Sequence, residues 1–106
     1  MFKVYEEKDR MIFSFSDRLD TSTISKIENE VIKKIVENKN RDAAVVFDLK
    51  DVEYISSSFL RLCVGASKEK GEMNFSIINV TPNVFKVFKM VGFDKLFEIK
   101  LIDWEF

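Results

Sequence analysis

The order of elements legible in this sequence predicts an α/β domain: a single-layer mixed, largely parallel sheet with helices packed on one face, in the order β-β-α-β-α-β-α-β. Three observations carry the prediction. Met11, Phe13 and Phe15 alternate with Ser14 and Ser16, the period of a strand with one buried face. Ile24, Ile27, Val31 and Ile35 recur at helical spacing. Ala43-Ala44-Val45-Val46-Phe47-Asp48-Leu49 is an apolar run broken only by Asp48, which suits a strand buried on both faces in the middle of a parallel sheet. From the second strand on, strand and helix patterns alternate, and such connections are right-handed crossovers. The 106 residues leave room for one compact domain, taken as residues 1–106.

Each element has a local reason. Phe2 to Tyr5 and Met11 to Ser16 read as strands, with Glu7-Lys8-Asp9-Arg10 as a hairpin connection. Asp20-Thr21-Ser22-Thr23 offers several helix caps in a row. The helix that follows runs to about Asn38, with Ile32 and Val36 widening its apolar stripe and Lys26, Glu30, Lys33 and Glu37 facing away. After the apolar run comes a short polar loop, then a second helix from about Ser58 to Lys70. It ends on Lys68, Lys70 and the stop residue Gly71. Met73, Phe75 and Ile77 alternate as another strand. Thr81-Pro82 starts a third helix through Val84, Phe85, Val87, Phe88 and Val91, stopped by Gly92. Phe97 to Leu101 alternates again, and Glu98 and Lys100 would guard an edge against pairing with other chains. The expected core comprises Ile27, Val31, Val45, Phe47, Leu60, Val64, Phe75 and Ile77.

Composition removes whole classes of function. Hydrophobic residues make up 46% and charged residues 33%, enough for a core under a solvated surface. The net charge of −1, from 17 basic and 18 acidic residues mixed along the chain, leaves no basic footprint for direct nucleic-acid binding. No apolar run approaches the roughly 20 residues of a membrane span. Acidic residues follow Met1-Phe2-Lys3-Val4-Tyr5 at once, unlike a signal peptide, so a soluble, cytoplasmic protein is expected. There is no histidine, which removes Ser-His and Cys-His nucleophile pairs and the usual zinc sites. The single Cys63, inside Phe59-Leu60-Arg61-Leu62-Cys63-Val64, reads as a plain buried thiol. Neither a cofactor nor a catalytic or metal centre is expected.

The informative segment is Asp48-Leu49-Lys50-Asp51-Val52-Glu53-Tyr54-Ile55-Ser56-Ser57-Ser58. It places three serines at a helix N-terminus just past the carboxyl end of a parallel strand, where α/β sheets carry their sites. Serine is also a preferred N-cap, and the plain capping role stands beside any functional one. No Glu or Gln follows three residues after any of the three, so no capping box forms.

This segment resembles the STAS-domain pattern, in which a strand and a short Asp-containing turn lead to Asp-Ser-Ser-Gly at a helix start. Ser16-Asp17-Arg18-Leu19-Asp20 is similar to the Gly-x-Leu-Asp that leads into the family's first helix. Thr81-Pro82-Asn83-Val84 and Val91-Gly92-Phe93 are similar to the limits of its third. The resemblance implies an anti-sigma factor antagonist. Such a protein binds an anti-sigma factor serine kinase, is switched off when that kinase phosphorylates it, and is restored by a serine phosphatase, so regulating sigma-factor-dependent transcription. By position the phosphorylated residue is Ser58. Ser57 and Ser56 are its neighbours, Asp20 would lie at the adjoining strand end, and Phe59 follows it.

Three residues depart from the pattern: Ser56 stands for aspartate, Phe59 for glycine and Asp17 for glycine. The first loses an acceptor that could orient the loop, and the second sets a large ring beside the acceptor serine. A constitutive STAS-like interaction or scaffold module, never phosphorylated, is the alternative these changes allow. An enzyme using Ser58 as nucleophile lacks a base, since no histidine exists and no Ser-x-x-Lys contains Ser58. Lys50 and Arg61 are conceivable phosphate ligands, each with a solvated surface charge as its plainer role.

Overall fold

A computed structural model describes residues 2–103; the domain expected over residues 1–106 runs past that range at both ends. Strand β1 (Phe2–Glu7) and strand β2 (Arg10–Leu19) form an antiparallel hairpin, and only Lys8 and Asp9 make its turn. Glu7 and Arg10, expected in the connection, are instead the last paired residues and are joined by an ion pair of 2.6 Å. Helix α1 (Thr21–Glu37), strand β3 (Ala44–Ile55), helix α2 (Ser57–Lys70), strand β4 (Phe75–Val80), helix α3 (Pro82–Met90) and strand β5 (Glu98–Leu101) follow, with single 3₁₀ turns at Glu72–Asn74 and Phe93–Lys95.

The five strands lie side by side in chain order, β1-β2-β3-β4-β5, and every pair after the hairpin is parallel. That order makes each crossover step in the same direction. Right-handed crossovers then deliver all three helices to one face, as the sequence predicts.

Residues directly opposite one another on that face form the core. Phe13 pairs with Phe47, and Phe47 with Ile77. Across the strands the rings of Phe13, Phe15 and Phe75 meet the Phe47 ring at 5.7, 5.0 and 4.9 Å, and Phe97 continues the row at 5.0 Å from Phe75. All four of these contacts are edge-on, the arrangement that aromatic quadrupoles favour. From above, α1 inserts Ile24, Ile27, Val31 and Ile35, with Ile32 half-buried and Val36 left outside.

Helix α2 corrects the expected core. Leu60 and Val64 are only half-buried, and the inward face is Phe59, Leu62, Cys63 and Ala66. Apolar residues occupy five of the six positions from 59 to 64, so their spacing does not select a face. The other six expected core residues are buried.

The opposite sheet face is uncovered by helices. Ile12, Ser14, Asp48, Ser76 and Ile78 stand half-buried there, and Val46 is hidden among its strand neighbours. The apolar run of β3 is thus closed over on one face rather than two. Met73, expected in a strand, lies in the Glu72–Asn74 turn and is fully exposed. At the far end of α2, Gly71 takes φ 85°, a backbone that only glycine adopts without strain. Helix α3 starts at Thr81-Pro82 as expected, but the Thr81 hydroxyl turns away from the helix and donates to Val52 O at 3.5 Å.

The largest difference from expectation concerns β3, which runs on to Ile55 through the segment read as a polar loop. Its register against β2 explains why. The step Ser14 to Ser16 matches Asp48 to Asp51, and Asp17 to Arg18 matches Val52 to Tyr54. Each interval holds one extra residue on β3, a bulge. The Asp48 carboxylate braces the first bulge by accepting from Lys50 N at 3.1 Å, and it also accepts from Asn79 Nδ2 at 3.1 Å. Asn79 itself has φ 56°. The Asp that interrupts the apolar run is therefore the tie between two irregular strand ends.

Candidate functional site

Two helices begin side by side at the carboxyl ends of β2 and β3. Asp20 caps α1, its carboxylate accepting from Thr23 N at 2.9 Å. Those bonds from Thr23 hold the Asp20 carboxyl below its usual range, with help from the positive charges of Arg18 and Lys26. Ser56 caps α2. Its Oγ accepts from Phe59 N at 3.4 Å and donates to Leu19 O at 2.8 Å, while Ser56 N donates to the same carbonyl at 3.1 Å. The acceptor expected to be lost with the family's aspartate is therefore supplied by the serine hydroxyl. That hydroxyl also makes a donor bond which an ionised carboxylate has no proton to make.

The next two serines differ sharply. Ser57 is exposed to solvent. Ser58 is 6% exposed: its hydroxyl donates to Thr21 Oγ1 at 3.3 Å and accepts from Arg61 Nη2 at 3.1 Å. Thr21 is the first residue of α1, so the Ser58 bond ties the two helix starts together across the sheet end. Phe59 points the other way. It is fully buried, its ring 5.4 Å from Phe15 and 5.9 Å from Phe47. The large ring expected beside the acceptor serine is in the core and presents no surface, because one residue along a helix turns the side chain by about 100°.

The structure thus brings Ser56, Ser57, Ser58 and Asp20 into one patch and removes Phe59 from it. Further residues belong to the patch, among them Arg61, which the sequence offers as a phosphate ligand. Thr21 receives the Ser58 bond and Arg61 covers the Ser58 oxygen. Arg18 lies 4.2 Å over the ring of Tyr54, its parallel neighbour on β3 and 41% exposed. The spacing of Ser58 and Arg61, three apart on one helix face, was the available signal for Arg61. The Arg18–Tyr54 stack had none, since it depends on the second bulge of β3.

Chemically the patch is two helix N-termini with free N–H groups and the positive ends of two dipoles, plus a guanidinium, around a serine hydroxyl. It suits a negative charge. Among the described residues no group of three or more His, Cys, Asp or Glu could hold a metal ion. Burial pushes the Cys63 thiol well above its ordinary pKa, which leaves it protonated and unreactive. No helix among the described residues is long and apolar enough to cross a membrane.

Comparison with known proteins bears on the fold. An anti-sigma-factor antagonist (STAS) domain protein from Planctomyces limnophilus has the same fold, with a TM-score of 0.84 and 22% identity over 96% of this chain and 91% of that one. An anti-sigma factor antagonist from Mycobacterium paratuberculosis superposes with a TM-score of 0.81 and 23% identity, covering 94% of this chain and 84% of its own. The Bacillus cell fate determinant SpoIIAA in its phosphorylated form matches with a TM-score of 0.67 and 16% identity, over 93% and 90% of the two chains. A search of curated protein sequences gives no significant match. At the level of sequence, the model of the STAS domain matches residues 1–102, and the chain belongs to the STAS domain family.

Proposed function

We propose that this protein is an anti-sigma factor antagonist. It binds an anti-sigma factor serine kinase through the surface around the start of α2, and phosphorylation of Ser58 ends that binding until a serine phosphatase reverses it. The observation that carries the reading is the Ser58 hydroxyl, held at the junction of two helix N-termini by Thr21 and Arg61. A phosphate there gains from both dipoles within its own domain. It also adds a charge of about −1.5 to −2 to the surface that meets the partner. Burying that charge against a surface fitted to an uncharged hydroxyl weakens the complex. Family membership and the phosphorylated SpoIIAA with the same fold support the assignment. On this reading the protein is a cytoplasmic signalling module without catalytic activity of its own, and it regulates transcription without touching nucleic acid.

The test is to incubate the purified protein with the serine kinases of its source organism and locate any phosphate by mass spectrometry. Labelling at Ser58, lost in Ser58→Ala, is the expected result. A second reading has its own observation: Ser58 is only 6% exposed, whereas Ser57 is open to solvent. Labelling at Ser57 would keep the switch and move its residue. No labelling, together with tight binding of Ser58→Asp to the partner, would make the protein a constitutive STAS-like scaffold.

A further inference from the structure

We propose that Arg61 is the built-in counter-ion of phosphorylated Ser58, holding the phosphoryl group against α2. The inference rests on the proposed phosphorylation of Ser58 and adds how the domain accommodates it. Arg61 Nη2 already donates to Ser58 Oγ at 3.1 Å, from three residues further along the same helix face. Its side chain is exposed to solvent, which leaves it room to move.

In the transfer, Ser58 Oγ forms a bond to the γ-phosphorus of a nucleoside triphosphate carried by the kinase. The nucleoside diphosphate leaves, and the hydroxyl proton passes to a base of the kinase or to water. That proton is the one Ser58 donates to Thr21 Oγ1, so the link to α1 in its present form ends with the transfer. The Arg61 bond does not need that proton. The guanidinium is itself the donor, and the phosphoryl oxygens are stronger acceptors than the hydroxyl they replace. A planar fork of several N–H groups can shift from Oγ to two phosphoryl oxygens with little movement, which a lysine at this position could not reproduce.

The neighbouring charges oppose one another. Asp20, immediately before Thr21, disfavours the dianion. Arg18 and the two helix N-termini favour it, as does Arg61. Of these charged groups, Arg61 alone among the described residues bonds the Ser58 oxygen. Its removal should therefore change the phosphate's own titration, whatever kinase or partner is involved.

The measurement uses the full chain with phosphoserine placed at position 58 by genetic code expansion, its second ionisation followed by ³¹P NMR. Phosphoserine in an unstructured peptide titrates near pH 6. In the folded chain it should titrate lower, and Arg61→Gln should raise the value again by about half a unit to one unit. Arg61→Gln with an unchanged titration would overturn the proposal. So would a phosphorylated chain that loses its near-ultraviolet circular dichroism, since a prepared counter-ion implies a fold that tolerates the group. The titration needs no kinase, so the two proposals fail separately. A shift that depends on Arg61, in a protein no kinase labels, would sustain the counter-ion and sink the switch.

Discussion

Ser56, Ser57 and Ser58 take three different roles because the first helical turn aims them in three directions: one caps α2, one faces solvent, and one bonds Thr21 and Arg61. If the partner fits the uncharged Ser58 hydroxyl, Ser58→Asp should bind an anti-sigma factor kinase at least about tenfold more weakly than wild type, because the added charge loses water at the interface without gaining a partner across it. Ser58→Ala should still bind, and calorimetric titration of both variants would check this. Phe59 carries a different burden. Cutting it to Ala empties a fully buried site in the aromatic row, and should cost about 3–5 kcal/mol in denaturant unfolding. Asp20 makes a prediction in pH. Its folded pKa lies below the ordinary 3.8, so its contribution is complete above that value and is lost as pH falls through the lower folded value. Asp20→Asn should flatten the fall of stability with acid in that window, measured as thermal midpoints against pH. At this scale the sequence disclosed the serines and the resemblance that selects Ser58. The direction of Phe59 was hidden, because a stretch apolar at five of the six positions from 59 to 64 carries no internal mark of which side faces the sheet.

At the scale of elements, helix ends were legible wherever a cap or a glycine supplied a chemical stop, as at Asp20, Pro82 and Gly71. The second half of β3 was not. Its buried residues Leu49, Val52 and Ile55 fall three apart, because each of two bulges adds a residue, and that spacing belongs to neither a regular strand nor a polar loop. The exposed Lys50, Asp51, Glu53 and Tyr54 between them then read as a linker. Where α1 crosses α2, Gly65 faces Ile32, and a Cβ at Gly65 would sit 3.6 Å from Ile32 Cδ1, an ordinary contact. The space is therefore open and the helical backbone needs no glycine. Gly65→Ala should raise stability by about 0.5–1 kcal/mol through reduced entropy of the unfolded chain, read from urea midpoints at unchanged m-value. A loss of stability would mean that the two helices approach more closely than this geometry allows.

For the whole molecule, alternation of strand and helix was enough to predict the layers, since right-handed crossovers leave few ways to lay them down. The hierarchy of protection should follow the sheet order. β3 is central and pairs on both sides, whereas β5 has four residues at an edge and is exposed along most of its length. Hydrogen exchange should open β5 first and the amides of Val45 to Leu49 last, near the limit set by global unfolding. Slower exchange in β5 than in β3 would contradict the placement of the core. One feature reaches beyond stability. Phe59, the residue after Ser58, is wedged between Phe15 of β2 and Phe47 of β3, so the beginning of α2 is bolted to two strands at once. A joint fixed in this way has no hinge and no lever arm. If Ser58 is phosphorylated as proposed, the modification leaves the domain as a change of electric potential at its surface, and the partner of that proposal must sense a field rather than follow a movement.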